Sequence, residues 1–398
     1  MLMNRGVQPR LLTGLCYVAM MSLAIGINLL PVFLTSIGAS FGQDGSLTRE
    51  ELGRLGAVAF AGLVVGTVAA GPLADRYGAK PFIILANVLA VAGLAGMATS
   101  QTFALLLTTV FVVGLGAGML DLTVSPVVAA LHPGRRTAAM NWLHSFYPLG
   151  AVMTIFAGTL ALAFDVGWRA VCWFSIALPL GLTLAFLPLR FPALVSECSG
   201  RRSIKELCAK PWFLIALAAI FMGGATELGM AQWLPAYAET SLGFSPTVAG
   251  AGLLMFSIAM AMGRIAVGMM EESANSYAIM AAGSLLSGVF FLLGAFLENP
   301  VLALAACVAA GFTGSSLWPT MLAVTADRYP NGGASMFAAL AAFGNAGGIF
   351  MPWVIGFVGD ERDLHWGIAT STIAPLLMLP MVMLLFRHRR TQSEASRG

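Results

Sequence analysis

Apolar stretches of about 20 residues or more recur along the chain, at 11–38, 50–74, 80–98, 102–131, 137–164, 168–188, 211–238, 245–270, 276–297, 300–326, 334–357 and 366–386. Each is long enough for an α-helix to cross a hydrocarbon layer of about 30 Å, at about 1.5 Å per residue. They stay apolar on every face, whereas a surface helix of a water-soluble protein keeps one polar side. The pattern predicts an all-α polytopic membrane protein with twelve transmembrane helices. The first stretch exceeds the core of a signal peptide and no small-residue cleavage site follows it, so it is expected to be retained.

Polar residues concentrate in one sizeable connection, 189–210, which is basic and central. It separates an N-terminal half, 1–188, from a C-terminal half, 211–398, each with six stretches, the second ending in a short tail. The halves also match in detail. Gly66 and Gly71 recur 197 positions later as Gly263 and Gly268, and Phe146 and Gly150 recur at the same offset as Phe343 and Gly347. Gly118 and Pro126 recur 193 positions on as Gly311 and Pro319. An internal repeat of this kind predicts two pseudo-symmetric halves, a binding site near the bilayer midplane, and alternating access by rocking.

Charge then sets the orientation. Hydrophobic residues make up 58% of the chain and charged residues 10%, against about 25% charged in a soluble domain, so each ion is informative. With the N-terminus in the cytoplasm, 16 of the 21 Lys and Arg residues fall on the cytoplasmic side, 4 fall opposite, and Arg264 lies within a span. This bias places both termini inside, in the cell membrane. The net charge of +3 therefore follows from topology and calls for no nucleic-acid partner. The five cysteines are scattered without metal-ligand or disulfide spacing. No metal site or cofactor is expected.

Between the second and third stretches the chain reads "GPLADRYGAK" (71–80), three ions in ten residues. Gly71, Asp75, Arg76, Gly78 and Lys80, in this spacing, resemble the signature loop of the major facilitator superfamily. That resemblance implies a cytoplasmic latch that holds the halves together when the site faces outward. In the second half Glu272 takes the place of Asp75 and no basic residues follow. A finer resemblance covers most of the chain: "GLGAGMLDLTVSP" (114–126), "MNWLHSFYPLGA" (140–151), "GATELGMAQWLPAYA" (224–238), "MGRIAVG" (262–268) and "MPWVIGFVGD" (351–360) are similar to the fucose-permease branch, the fucose/glucose/galactose cation symporters. Members of that branch carry a first-helix carboxylate shortly before a Leu-Pro. Here the segment reads "GINLLP", with Asn28 and no acid.

A charge at the bilayer centre costs at least about 2.5–3.5 kcal/mol, so the intramembrane ions ask for a reason. Asp121 lies about 15 Å and Glu227 about 24 Å from the cytoplasmic ends of their helices. Asp121 also matches the coupling acid that the resemblance places after Gly-Leu-Gly, and Thr123 or Ser125 would be its alternative, structural partners. With the first-helix acid missing, Glu227 is the candidate second coupling carboxylate. Arg264 lies about 9 Å from its helix end and is expected to pair with Asp327 at the cytoplasmic gate. Asn28, Asn141, His144, Gln232, Trp233, Trp318 and Asn345 complete a candidate substrate cavity, the tryptophans suited to stacking on a sugar ring. Gln232 points about 140° from Glu227 on a regular helix, so both line one cavity only if that helix unwinds.

The reading is a secondary active transporter: H⁺- or Na⁺-coupled symport of a neutral polyhydroxylated solute, a monosaccharide, by a chain that works as a monomer in the lipid bilayer. Buried carboxylates without matching cations favour a cation co-substrate. The alternative is a proton-driven exporter of amphiphilic compounds, with the 22 methionines and 25 phenylalanines lining a permissive pocket. Zinc-ligand spacing, a nucleophile–base pair and a phosphate loop are all missing, which argues against an enzyme.

Overall fold

The backbone places the predicted stretches in helices with only small shifts at their ends. The computed structural model describes residues 8–41, 47–132, 136–192, 204–270, 275–329 and 332–395, and all regular elements among them are helical. The first six spans are α1 (Pro9–Val32) with α2 (Leu34–Gly38), α3 (Arg49–Tyr77), α4 (Ala79–Thr99), α5 (Phe103–Leu131), α6 (Arg136–Ala163), and α7 (Trp168–Ser175) with α8 (Ala177–Phe186). A short α9 (Ile204–Cys208) follows within the central connection. The last six are α10 (Pro211–Thr240), α11 (Pro246–Met270), α12 (Ser276–Phe296), α13 (Pro300–Gly314) with α14 (Leu317–Arg328), α15 (Gly333–Glu361), and α16 (Leu364–Thr370) with α17 (Ile373–Ala395). Twelve helices or helix pairs among the described residues are long and apolar enough to cross a membrane. A bilayer core offers no water to backbone N–H and C=O groups, so a helix that satisfies its own ladder is the form these segments take. The last helix outruns its predicted end at 386 because helix-forming polar residues carry it on.

The chain divides into two units, 1–47 with 54–197, and 48–53 with 198–398. In the first, α4 packs on α5, α7 and α8, and α1 packs on α5 and α6. In the second, α10 is central and packs on α11, α14, α15 and α17. The first turn of α3 counts with the second unit because Asp360 accepts the backbone N–H groups of Arg49 (2.7 Å) and Glu50 (2.6 Å). These are orphan donors of a helix N-terminus, which favours a carboxylate.

Glycines set how closely the helices approach. Gly66 of α3 faces the backbone carbonyl of Leu115 in α5, and Gly118 of α5 faces that of Leu63 in α3. In the second unit Gly263 of α11 faces the carbonyl of Phe312 in α13. Both members of the Gly66–Leu115 contact recur 197 positions later as Gly263–Phe312. Gly150 of α6 meets Met21 of α1, and Gly347 of α15 meets Phe221 of α10. The repeated glycines Gly66/Gly263 and Gly150/Gly347 thus mark backbone-to-backbone crossings in both units, the close approach that small residues allow in membranes, whereas Gly311, the counterpart of Gly118, faces the Phe256 ring.

Gly66→Ala puts a methyl group onto a backbone carbonyl and is expected to cost about 1–3 kcal/mol, lowering the thermal midpoint of the purified protein. Gly14→Ala, which adds its methyl to open space, should leave it within a degree or so. Equal midpoints for the two variants would show that the crossing does not control stability.

Candidate functional site

Span ten is broken, and the break builds the site. Ser315 and Ser316 form a turn between α13 and α14, and Pro319 sits four residues after Ser315. Proline has no N–H, so the Ser315 carbonyl lacks the helical donor it would otherwise have. Arg264 of α11 supplies one: its Nε donates to Ser315 O at 3.1 Å. Gly263 next to it crowds against Phe312 O and Ser315 Oγ, which brings the arginine's backbone close to the break.

The same guanidinium meets Glu227 of α10. Its Nη2 donates to both carboxylate oxygens, Oε1 at 2.9 Å and Oε2 at 2.8 Å. The Glu227 side chain is 12% exposed and that of Arg264 34%. Nη1 makes no hydrogen bond among the described residues. Thr226, Phe256, Met260, Gly311 and Gly314 line the cleft beside Glu227 and Ser315. A carboxylate deep in an apolar span is thus neutralised by a permanent cation, and that cation keeps an edge open.

This arrangement corrects the sequence expectation twice. Glu227 is not a buried acid without a buried base, and Arg264 does not pair with Asp327. Asp327 is exposed near the end of α14, where solvent stabilises a carboxylate without a partner, whereas Glu227 has no such recourse. Ser315 carried no role in the sequence reading. Its signal was the run Gly314-Ser315-Ser316 with Pro319 at the fourth position after Ser315.

The first unit holds a second ionisable pair. Asp121 of α5 is partly buried and lies within electrostatic range of His144 on α6, which is itself exposed. The hydroxyls near Asp121 do not serve its carboxylate. Thr123 Oγ1 donates to Met119 O at 2.6 Å, and Ser125 Oγ donates to the Asp121 backbone carbonyl at 3.3 Å.

The other candidates separate into three groups. Trp233 is fully buried and donates its indole N–H to Pro352 O at 2.8 Å, so it is a packing residue and offers no face to a sugar. Gln232 is 3% exposed, with Nε2 unpartnered among the described residues. Because α10 runs unbroken past both positions, Gln232 does not join Glu227. Asn28 turns its Nδ2 back to Ala24 O at 2.8 Å. Trp318 and Asn345 are partly exposed, and the Trp318 ring lies against Gly344 beside Asn345. The side chains of Asn141, Gly71 and Asp75, and residue Glu272, lie outside the described residues.

Within the signature loop, Gly78 has φ +81°, a left-handed conformation that suits glycine. Arg76 is exposed and its guanidinium lies 5.2 Å from the centre of the Tyr77 ring. Lys80 departs from the latch expectation. Its Nζ donates to the carbonyls of Leu187 (2.7 Å) and Leu189 (2.9 Å) at the C-terminal end of α8, where a helix leaves carbonyls unpaired and a cation is favoured. Its charge is engaged inside its own unit.

The profile of the Major Facilitator Superfamily matches residues 15–277 and 239–398. The chain belongs to that superfamily. It is a membrane transporter and not an enzyme. A relative, the cis,cis-muconate transport protein of Acinetobacter baylyi, is 23% identical over 389 residues, covering 93% of this chain and 92% of its own. Two solved structures share the fold. A D-xylose-proton symporter gives a TM-score of 0.74 at 14% identity, covering 93% of this chain and 97% of its own. The Escherichia coli fucose:proton symporter gives 0.64 at 18%, covering 94% and 98%.

Removing one partner of the ion pair leaves the other uncompensated. Arg264→Gln is therefore expected to destabilise the transporter more than Arg264→Gln combined with Glu227→Gln. A double-mutant cycle read by thermal unfolding should give a coupling of about 1–3 kcal/mol. The same cycle with Asp327→Asn should give additive effects.

Proposed function

We propose that this transporter is a proton-coupled symporter in which Glu227 carries the proton, moving a small polar solute by rocker-switch alternating access. The engagement of both Glu227 oxygens by one guanidinium nitrogen is the observation that supports it. Both oxygens already face one cation, so a second cation such as Na⁺, a hard ion held by several oxygen ligands at once, would find few left. A proton needs only one oxygen, and neutralises the carboxylate where charge is expensive. Asp121, in range of His144, is the second protonatable group. Both termini lie in the cytoplasm on this reading, as the basic bias argues.

The solute expected from sequence, a neutral monosaccharide, has support in the names of the two structural neighbours, which are sugar–proton symporters. It also rested on buried acids without bases, and Arg264 removes that ground for Glu227. A relative aligned over nine-tenths of the chain is named instead for muconate, a carboxylate. Export of amphiphiles gains no support from the lining of the ionic cleft, in which Met260 and Phe256 are accompanied by small residues and by the Glu227 carboxylate.

Glu227→Gln mimics a permanently protonated carboxylate. It should abolish uphill uptake driven by a proton gradient in proteoliposomes, while exchange of internal for external solute persists to at least about a tenth of the wild-type rate. Asp121→Asn is expected to weaken accumulation in the same assay. Full accumulation by both variants would show that the coupling does not run through these carboxylates.

A further inference from the structure

We propose that the transported solute is a small organic carboxylate, and that its carboxylate takes over Arg264 from Glu227 as Glu227 takes up the proton. The inference rests on Glu227 being the proton carrier. It follows from charge conservation within a site that tolerates no net charge.

The Glu227–Arg264 pair is neutral. Protonating Glu227 alone leaves a guanidinium with a carbonyl and no anion. Binding an anion alone sets two carboxylates against one guanidinium. Either state strands a charge in a poorly solvated span, where it lacks both water and a counterion. Proton and anion together restore neutrality, so each raises the affinity for the other. A neutral sugar leaves the guanidinium without an anion once Glu227 is protonated.

Geometry supports the same exchange. Glu227 is held through a single nitrogen, Nη2, and not through a two-nitrogen fork. Nη1 has no partner among the described residues, and the arginine side chain is one-third exposed. Its open edge, Nη1 with Nη2, is the pair of parallel donors that carboxylates engage best. Nε keeps its bond to Ser315 O and holds the guanidinium in place while the anions exchange. Other charged groups on the elements around α10 stand apart. Asp327 and Arg328 lie at the end of α14, Asp360 and Glu361 at the end of α15, and Arg387 on α17 beyond its apolar run. His365 of α16 is bonded to Tyr237, ten residues along α10 from Glu227. Lys205 and Glu206 belong to α9, before α10 begins. Among the described residues, Arg264 is the charge that meets Glu227.

The test uses the full chain in detergent or nanodiscs and thermal shift with named probes: acetate, benzoate and cis,cis-muconate, against neutral benzamide and D-xylose. The carboxylates should bind about tenfold or more tightly at about pH 5.5 than at about pH 8, since they remain largely ionised at the lower value. Glu227→Gln should fix the tighter affinity at both pH values. Arg264→Lys keeps the charge but loses the fork, and should weaken carboxylate binding about tenfold or more at both. Should Arg264→Lys unfold, the Arg264→Gln/Glu227→Gln double variant, which leaves neither charge stranded, carries the comparison and should bind the carboxylates no better than the neutral probes at either pH. Carboxylates that fail to bind, or whose binding survives Arg264→Lys, overturn the inference. Proton uptake into dye-loaded proteoliposomes separates this from the coupling itself. Xylose-driven proton uptake lost in Glu227→Gln would sink the carboxylate and keep the proton. Carboxylate entry without proton movement would sink the coupling.

Discussion

An unsolvated charge or hydrogen-bonding group is costly inside a bilayer, and this penalty organises the molecule from its backbone to its site. It makes each span a helix. It then treats every departure from the ladder as something to be answered locally. Pro319 removes the donor due to Ser315 O, and Arg264 answers it. Arg264 brings a charge into the span, and Glu227 answers that. One guanidinium thus links the broken helix of span ten, the central helix α10 and the titratable group. A change in the protonation of Glu227 is necessarily felt at the break, because both are bonded to the same planar cation.

The glycine crossings supply the second condition, rigid registration. The Gly66–Leu115 contact and its counterpart Gly263–Phe312 bring backbone against backbone, with no flexible side chain between to absorb a displacement. Gly263 immediately precedes Arg264, so the residue that fixes the approach of α11 to α13 also fixes the depth and direction of the arginine. A bulkier residue there would move the guanidinium before it altered anything chemical. The repeat therefore matters to the site as geometry, although the ions themselves do not repeat.

Much of this was legible in sequence because the bilayer imposes its rules on composition. Span number and most span ends follow from apolar length, and the shared glycine spacing marks the crossings. Glu227 and Arg264 were legible as costly ions, each singly. Their pairing was not, since they stand 37 positions apart on different helices and hydropathy carries no azimuth between helices. Depth along the chain suggested Asp327 as the partner for Arg264, but an exposed carboxylate has water and gains little from pairing. Trp233 misled for the opposite reason. A tryptophan near a midplane acid reads as a platform for a ligand, yet its N–H found a carbonyl, Pro352 O, and its ring a fully buried place. Lys80 read as a latch because its loop resembles one, whereas its ammonium is bonded to the carbonyls of Leu187 and Leu189, just past the end of α8.

The two ionisable pairs differ in a way that assigns them different work under the proposed coupling. In the first unit the base beside Asp121 is a histidine, a side chain that exists in both a neutral and a cationic form. That pair reaches neutrality by sharing protons alone, and it needs no solute to do so. In the second unit the base beside Glu227 is an arginine, which stays charged at every accessible pH. Protonating its partner always leaves a cation in want of an anion. Tight stoichiometry between proton and anionic solute therefore belongs to Glu227 and Arg264, whereas Asp121 and His144 are able to load or release a proton independently of cargo. The repeat kept the helices and let the charges diverge, and the permanence of one cation is what turns proton binding into solute binding.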